Sequence, residues 1–291
     1  MHKSVLKKEV IEYLNPEPNE NLVDATLGEG GHASAILEEI KPKGKVLGIE
    51  LTPHLYQKMK DKEIDRLIVE NNSYIHLKEL VEKNGLGPVA GVLFDLGFSS
   101  WHLEKSEKGF SFQRDEPLDM RYNEDSTELT ASKIINEWPE EEIVKILKKY
   151  GQERFAKSIT KKIGEERKIK KIGTTSQLVE TIKEAVPSWY RYRKKHFATK
   201  TFQALRITVN NELKNLEQSL PQAREVLKKG GRMVVISFHS LEDKIVKNYF
   251  KKNARKGFLK IITKKPVGPT KKEIIRNSRS RSAKLRAAIK I

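Results

Sequence analysis

Short apolar runs alternate with amphipathic stretches along the first hundred residues. Leu6, Val10 and Leu14 recur at helical spacing behind Ser4, so the pattern predicts a Ser4-capped helix over Val5–Leu14, ended by Asn15-Pro-Glu-Pro18. Leu22-Val-Asp24 reads as a buried strand, followed by a turn holding Gly28, Gly30 and Gly31 and by a helix. Lys45–Glu50, Arg66–Glu70 and Gly91–Gly97 read as three further strands, Arg66–Glu70 being the weakest. Strands alternating with helices predict a parallel sheet, and open α/β sheets bind ligands at the carboxyl ends of their strands. Asp24, Glu50 and Asp95 would line that edge.

The alternation then stops for about a hundred residues. Pro139 with Glu140, Glu141 and Glu142 opens a helix that Lys148, Lys149 and Gly151 close, as dipole and cap preferences require. Thr174-x-x-Gln177 resembles a capping box for a helix stopped by Pro187. Residues 109–203 are therefore expected to form an inserted all-helical domain, with 1–108 and 204–291 forming the α/β core. One long amphipathic helix is predicted from about Thr201 to Leu227. A strand follows at Gly231–Phe238, and Phe258–Thr263 with Lys284–Ile289 would close the sheet as an antiparallel pair.

Length suits one large α/β domain with an insertion. The absence of cysteine among 291 residues excludes disulfides, thiolate metal sites and a cysteine nucleophile. No apolar run approaches the roughly 20 residues that span a bilayer, and Met1-His-Lys-Ser-Val-Leu-Lys-Lys-Glu9 lacks the apolar core of a signal peptide, so a cytoplasmic protein without membrane partners is expected. The net charge of +18 is local: residues 251–291 hold fifteen Lys/Arg against one acid, Glu273. Such a segment points to a polyanion.

Gly28-x-Gly30-x-x-Ala33 satisfies the dinucleotide pattern G-x-G-x-x-G/A, with Glu50 twenty-odd residues on. Asp24, four positions before Gly28, argues against a pyrophosphate, which its carboxylate would repel. S-adenosylmethionine suits it better, because that ligand brings an ammonium and a sulfonium to a carboxylate and presents its own carboxylate to backbone amides. Glu50 would then accept the ribose hydroxyls, and Tyr74 would pack on the adenine. A nicotinamide oxidoreductase remains the enzyme alternative, and a non-catalytic RNA-binding factor the other. Ser237-Phe-His-Ser-Leu-Glu-Asp243 lacks the nucleophile elbow of a hydrolase. Trp189-Tyr-Arg-Tyr-Arg-Lys-Lys-His-Phe197 interleaves bases with aromatics, including Arg191 and Arg193, as surfaces that stack unpaired RNA bases do.

Five separated stretches, Asp24-Ala-Thr-Leu-Gly-Glu-Gly-Gly-His32, Asp95-Leu-Gly-Phe-Ser-Ser100, Gly109–Arg121, Lys200–Arg206 and Ile236–Asp243, resemble the bacterial MraW (RsmH) family, from His2 to about Ala288. The resemblance implies a class I (Rossmann-like) methyltransferase sheet with helices on both faces and an inserted helical domain. It also implies S-adenosylmethionine as donor, and as substrate the exocyclic N4 amine of a cytidine in the decoding region of 16S ribosomal RNA, within the small ribosomal subunit. Carried over by position, the family's cofactor contacts fall on Gly30, Gly31, His32, Glu50, Tyr74, Asp95 and His102. Glu50 stands where Asp is common, Tyr74 where Phe is usual, His102 where Gln is frequent, and Thr52 where an acid is often found. Cytosine's exocyclic nitrogen is a poor nucleophile, so a group that accepts its hydrogen bonds is needed. Asp95 is the first candidate, for orientation and proton acceptance. Arg114, Asp119, Arg121 and His239 are further candidates for substrate contact, and no metal is expected.

Overall fold

The computed structural model describes residues 4–291, the side chain of residue 126 excepted; His2, where the resemblance begins, lies outside them. The chain divides into two compact units, one formed by the segments up to Gly97 and from Leu213 onward, the other by Phe98–Glu212.

In the first unit, among the described residues, seven strands form one sheet of order β3-β2-β1-β4-β5-β7-β6. They are β1 (Leu22–Asp24), β2 (Val46–Glu50), β3 (Leu67–Asn71), β4 (Val89–Asp95), β5 (Leu227–Ser237), β6 (Leu259–Ile261) and β7 (Lys284–Lys290). The first five run parallel; β7 is antiparallel to both β5 and β6. Helices α1 (Lys7–Leu14), α2 (Gly31–Glu39) and α3 (Pro53–Lys60) cover one face, where Leu22, Val46, Leu93, Val234 and Ile236 meet Val10, Leu14, Ile36, Leu37 and Met59. On the other face Val23, Leu47, Ile49, Val92, Phe94 and Val235 pack against Leu77, Leu80 and Val81 of α4 (Leu77–Lys83) and against two later helices. The alternation of β1 and β4 between the two cores follows from the two-residue repeat of a strand.

The second unit is helical: α5 (Ser100–Glu104), α6 (Ala131–Glu137), α7 (Glu140–Lys149), α8 (Ala156–Ile169), α9 (Thr175–Ala185), α10 (Ser188–Arg191) and α11 (Thr199–Val209). Its own apolar core includes Ile134, Ile143, Leu147, Ile159, Ile163, Leu178, Ile182 and Leu205. The predicted acidic start and basic end of α7 are present, as is the Thr174–Gln177 capping box of α9. The unit is wider than 109–203 because its two ends are joined to each other. The Arg206 guanidinium lies 4.5 Å from the Phe98 ring centroid and pairs with Glu212 at 2.8 Å, which also accepts the Tyr122 hydroxyl at 2.9 Å.

Two sequence expectations change. The long helix from Thr201 is broken: α11 ends at Val209 and α12 (Glu212–Val226) begins after Asn211, whose φ of 50° is left-handed. The Asn210 side chain donates to the Met120 carbonyl and accepts from the Tyr122 amide, contacts a continuous helix would forgo. α12, with α13 (Ser240–Arg255), then covers the second face of the sheet. At the start of the chain, α1 begins at Lys7 rather than Val5, and no side chain caps it. The Leu6 amide instead donates to Glu273, the single acid of the basic segment, just inside α14 (Lys271–Arg276). No helix of the described residues is long and apolar enough to cross a membrane.

Candidate active site

Sheet order reverses between β1 and β4, and a ligand crevice forms where neighbouring strands of a parallel sheet send their chains to opposite sides. β1 delivers Asp24 to that point and β4 delivers Asp95. Between them lies a residue that sequence reasoning missed. Thr26 Oγ1 accepts the Asp95 amide at 2.6 Å, while the Thr26 amide donates to Asp24 Oδ1 at 3.2 Å. A hydroxyl residue just past the end of a strand, between an acid and a glycine turn, is the signal that would have found it.

The turn takes left-handed φ at Gly28 (54°) and Gly30 (78°), values glycine reaches without a Cβ clash. At Gly30 a Cβ would also land on the thioether end of Met59, and at Gly31 on the Ser4 hydroxyl. The absent side chains thus let Ser4, ahead of α1, and Met59 of α3 close behind the turn, a packing reason beside ligand access. The Gly28 amide donates to Glu50 Oε2 at 2.8 Å and the Thr52 amide to Oε1 at 2.7 Å, so the acid at the end of β2 supports the turn. Burial pushes the Glu50 carboxyl up, against the pull of the Thr52 amide and hydroxyl and of the Gly28 amide.

Asp24 is fully buried, and burial pushes its carboxyl up to about 6, although His32 and the Thr26 and Ala33 amides pull it down; Asp95 adds to the rise. His32, in the first turn of α2, lies with Nε2 3.4 Å from Asp95 Oδ2, close enough for charge pairing but not aligned as a hydrogen bond. Burial alone would lower the imidazole; Asp95 and then Asp24 outweigh it and hold it above its ordinary value, with Lys7 of α1 opposing them. Asp24 Oδ2, Asp95 Oδ1 and both His32 nitrogens are buried without a hydrogen-bond partner among the described residues. Orphaned buried carboxylate oxygens are costly unless something arrives to satisfy them. Here that something must be a cation or a donor. An ammonium or sulfonium fits; a pyrophosphate does not.

Tyr74 sits in a single 3-10 turn (Tyr74–His76) after β3, its ring edge-on to Phe94 at 5.7 Å. His239 follows β5 at the same edge of the sheet and caps α13 through a box with Glu242, Nε2 standing 3.2 Å from Oε1. His102 belongs to the helical unit. Its ring caps α5 through Ser99 and stacks edge-on with Phe110 and Tyr122, and burial, then Lys108 and Arg206, push it down to about 3, so it is neutral at physiological pH. Asp119 and Arg121 pair with each other at 2.7 Å. Arg114 donates to the Glu104 carbonyl and Arg191 to the Val186 carbonyl. Arg193 lies over the Tyr190 ring, and Arg154 over Trp189, which is 53% exposed; the Tyr192 side chain is 87% exposed.

The described strand order, with antiparallel β7 between β5 and β6 and a glycine turn after β1, defines a class I methyltransferase. The MraW methylase family model matches residues 1–291, and the chain belongs to that family. It is similar to proteins named ribosomal RNA small subunit methyltransferase H. The one from Thermotoga neapolitana is 48% identical, over 99% of this chain and 95% of that protein. That of Dictyoglomus thermophilum is 45% identical, over 98% and 95%. A third, from Sulfurihydrogenibium azorense, is 45% identical over 99% and 98%.

Proposed function

We propose that this methyltransferase modifies the N4 amine of a cytidine in the decoding region of 16S ribosomal RNA, within the small subunit, and takes the methyl group from S-adenosylmethionine. The observation that carries the donor is the pair of partly unpartnered carboxylates under the glycine turn, fully buried Asp24 and half-buried Asp95, each with one buried oxygen that no group among the described residues satisfies. In this reading Asp24 faces the cationic end of the donor, Gly28, Gly30, Gly31 and His32 frame it, Glu50 takes the ribose hydroxyls and Tyr74 flanks the adenine. S-adenosylmethionine supplies an activated methyl group: one C–N bond forms, one C–S bond breaks, and the amine gives up one proton. Asp95 is the residue proposed to accept the amine's hydrogen bond and orient its lone pair.

The names of the relatives favour a ribosomal RNA substrate, and charge favours it independently. Because β7 runs antiparallel, Lys284 pairs with Ser237 at the carboxyl end of β5, so the basic segment leading into β7 arrives at the edge that carries Asp24 and Asp95. Lys271, Lys272, Arg276, Arg279 and Arg281 are exposed there, and Glu273 is occupied by the Leu6 amide. In the helical unit Trp189, Tyr192 and Arg193 offer stacking faces and charge to unpaired bases.

Labelled methyl donor, supplied with purified small subunits and separately with naked ribosomal RNA, tests the reading by nucleoside analysis. N4-methylcytidine is the expected product. Label absent from RNA, with folded protein and intact subunits, refutes it. Asp95→Ala should abolish turnover while RNA binding survives; normal turnover would remove Asp95 from its role.

A further inference from the structure

Three titratable groups meet at the reversal point of the sheet from three different elements: Asp24 from β1, Asp95 from β4 and His32 from α2. Asp24 and His32 are buried and Asp95 is half-buried, and four of their polar atoms are buried with no hydrogen-bond partner among the described residues. A pair of carboxylates with one imidazole carries a net charge that depends on how many protons the group holds. In so dry a place that number must respond to the charge of whatever lies beside it.

We propose that Asp24 and His32, held beside Asp95, act as one proton-exchanging cluster that gives up a proton when the cationic methyl donor binds and holds one when the spent, uncharged thioether is in its place. This rests on the reading of the pocket as the donor site. The sulfonium loses its positive charge with the methyl group, and a proton taken up by the cluster restores that charge beside Asp24. The pocket then discriminates between donor and spent cofactor through proton occupancy as well as shape, and the two ligands exchange with opposite proton movements.

The surroundings support an exchange near neutrality. Asp24, pushed up to about 6, is half protonated at a mildly acidic pH, and His32 is held above its ordinary value by Asp95 and Asp24. Lys7, on α1, acts against protonation of His32, and Glu50, at the end of β2, is itself pushed up by burial and by Asp24. The Thr26 and Ala33 amides favour the ionised form of Asp24. No group in this set fixes the cluster in one protonation state.

Calorimetric titration in two buffers of different ionisation enthalpy counts the protons exchanged on binding S-adenosylmethionine and S-adenosylhomocysteine. At about pH 6 the α-amino groups of both ligands are charged and drop out of the comparison. A group titrating at about 6 is half protonated there, so the intact protein should release up to about half a proton with the methyl donor and take up to about half a proton with the spent form, a difference approaching one. Asp24→Asn should bring that difference toward zero. His32→Asn should keep it but centre it at a higher pH, because the imidazolium that favours ionised Asp24 is gone; a merely structural histidine would leave the centre unmoved. Equal proton counts for the two ligands overturn the proposal and leave the donor-site reading standing. A full difference surviving in Asp24→Asn overturns the assignment to this cluster. Failure of folded protein to bind either ligand overturns the donor-site reading, and the proposal with it.

Discussion

Asp24→Asn is expected to make the ligand-free protein more stable while weakening its hold on the methyl donor. The carboxyl titrates at about 6 instead of its ordinary 3.8, chiefly through burial, and it is fully buried. The difference of about two pH units corresponds to about 3 kcal/mol, the cost of keeping the group ionised in the folded state at neutral pH. The sign follows from proton counts. Between about pH 4 and pH 6 the folded protein holds more proton at Asp24 than the unfolded chain does, so stability from this group falls as pH rises through that window. An amide removes the charge but leaves a buried N–H group without a partner, at about 1 kcal/mol. A net gain of about 2 kcal/mol remains, and for a unit of this size that raises Tm by roughly 4–8 °C. Thermal unfolding followed by circular dichroism at about pH 7.5 and again at about pH 4 checks both magnitude and sign, because the advantage should disappear at the lower value. Donor affinity, measured by calorimetry, should fall about 10- to 100-fold, the worth of a hydrogen bond to a charged group. A variant less stable than the parent at neutral pH, with donor affinity intact, would refute the reasoning.

Thr26→Val leaves the Asp95 amide without its acceptor and should cost about 1–3 kcal/mol in denaturant unfolding, with kcat falling more than KM as Asp95 loses its anchor. Replacing Arg276 and Arg281 with Ala should weaken RNA binding and flatten its salt dependence by about 0.7–0.9 per side chain, read from log Kd against log salt. Trp189→Ala should cost about 1–3 kcal/mol in affinity for single-stranded RNA if a base stacks there, measured at a temperature where the variant is folded. An unchanged affinity would exclude the Trp189 face from the RNA interface.

The strands that carry the site were legible because burial on both faces writes them as short continuous apolar runs, and because three of them end on an acid. What stayed hidden depended on partners distant in the chain. Ser4 looks like a cap in sequence, but Glu273 takes the Leu6 amide and Ser4 packs behind Gly31. The break at Asn210–Asn211 is hard to see because apolar residues continue on both sides of it, Leu205 and Val209 before and Leu216 and Leu220 after. Nothing local marks the change from one core to the other. His102 entered only through family resemblance, and its cap on α5 and aromatic neighbours are tertiary facts. The charge pattern located the basic segment, but only the antiparallel course of β7 says which end of the sheet receives it.

That course also sets an order of events in synthesis. β7 is made last of the seven described strands yet lies inside the sheet, between β5 and β6. Until residues 284–290 emerge, β5 is an open apolar edge and β6 has no partner, and an exposed edge of this kind invites pairing with other chains. A nascent chain interrupted upstream of Lys284 would therefore be an aggregation hazard rather than a smaller working enzyme. Catalytic competence would arrive late and all at once.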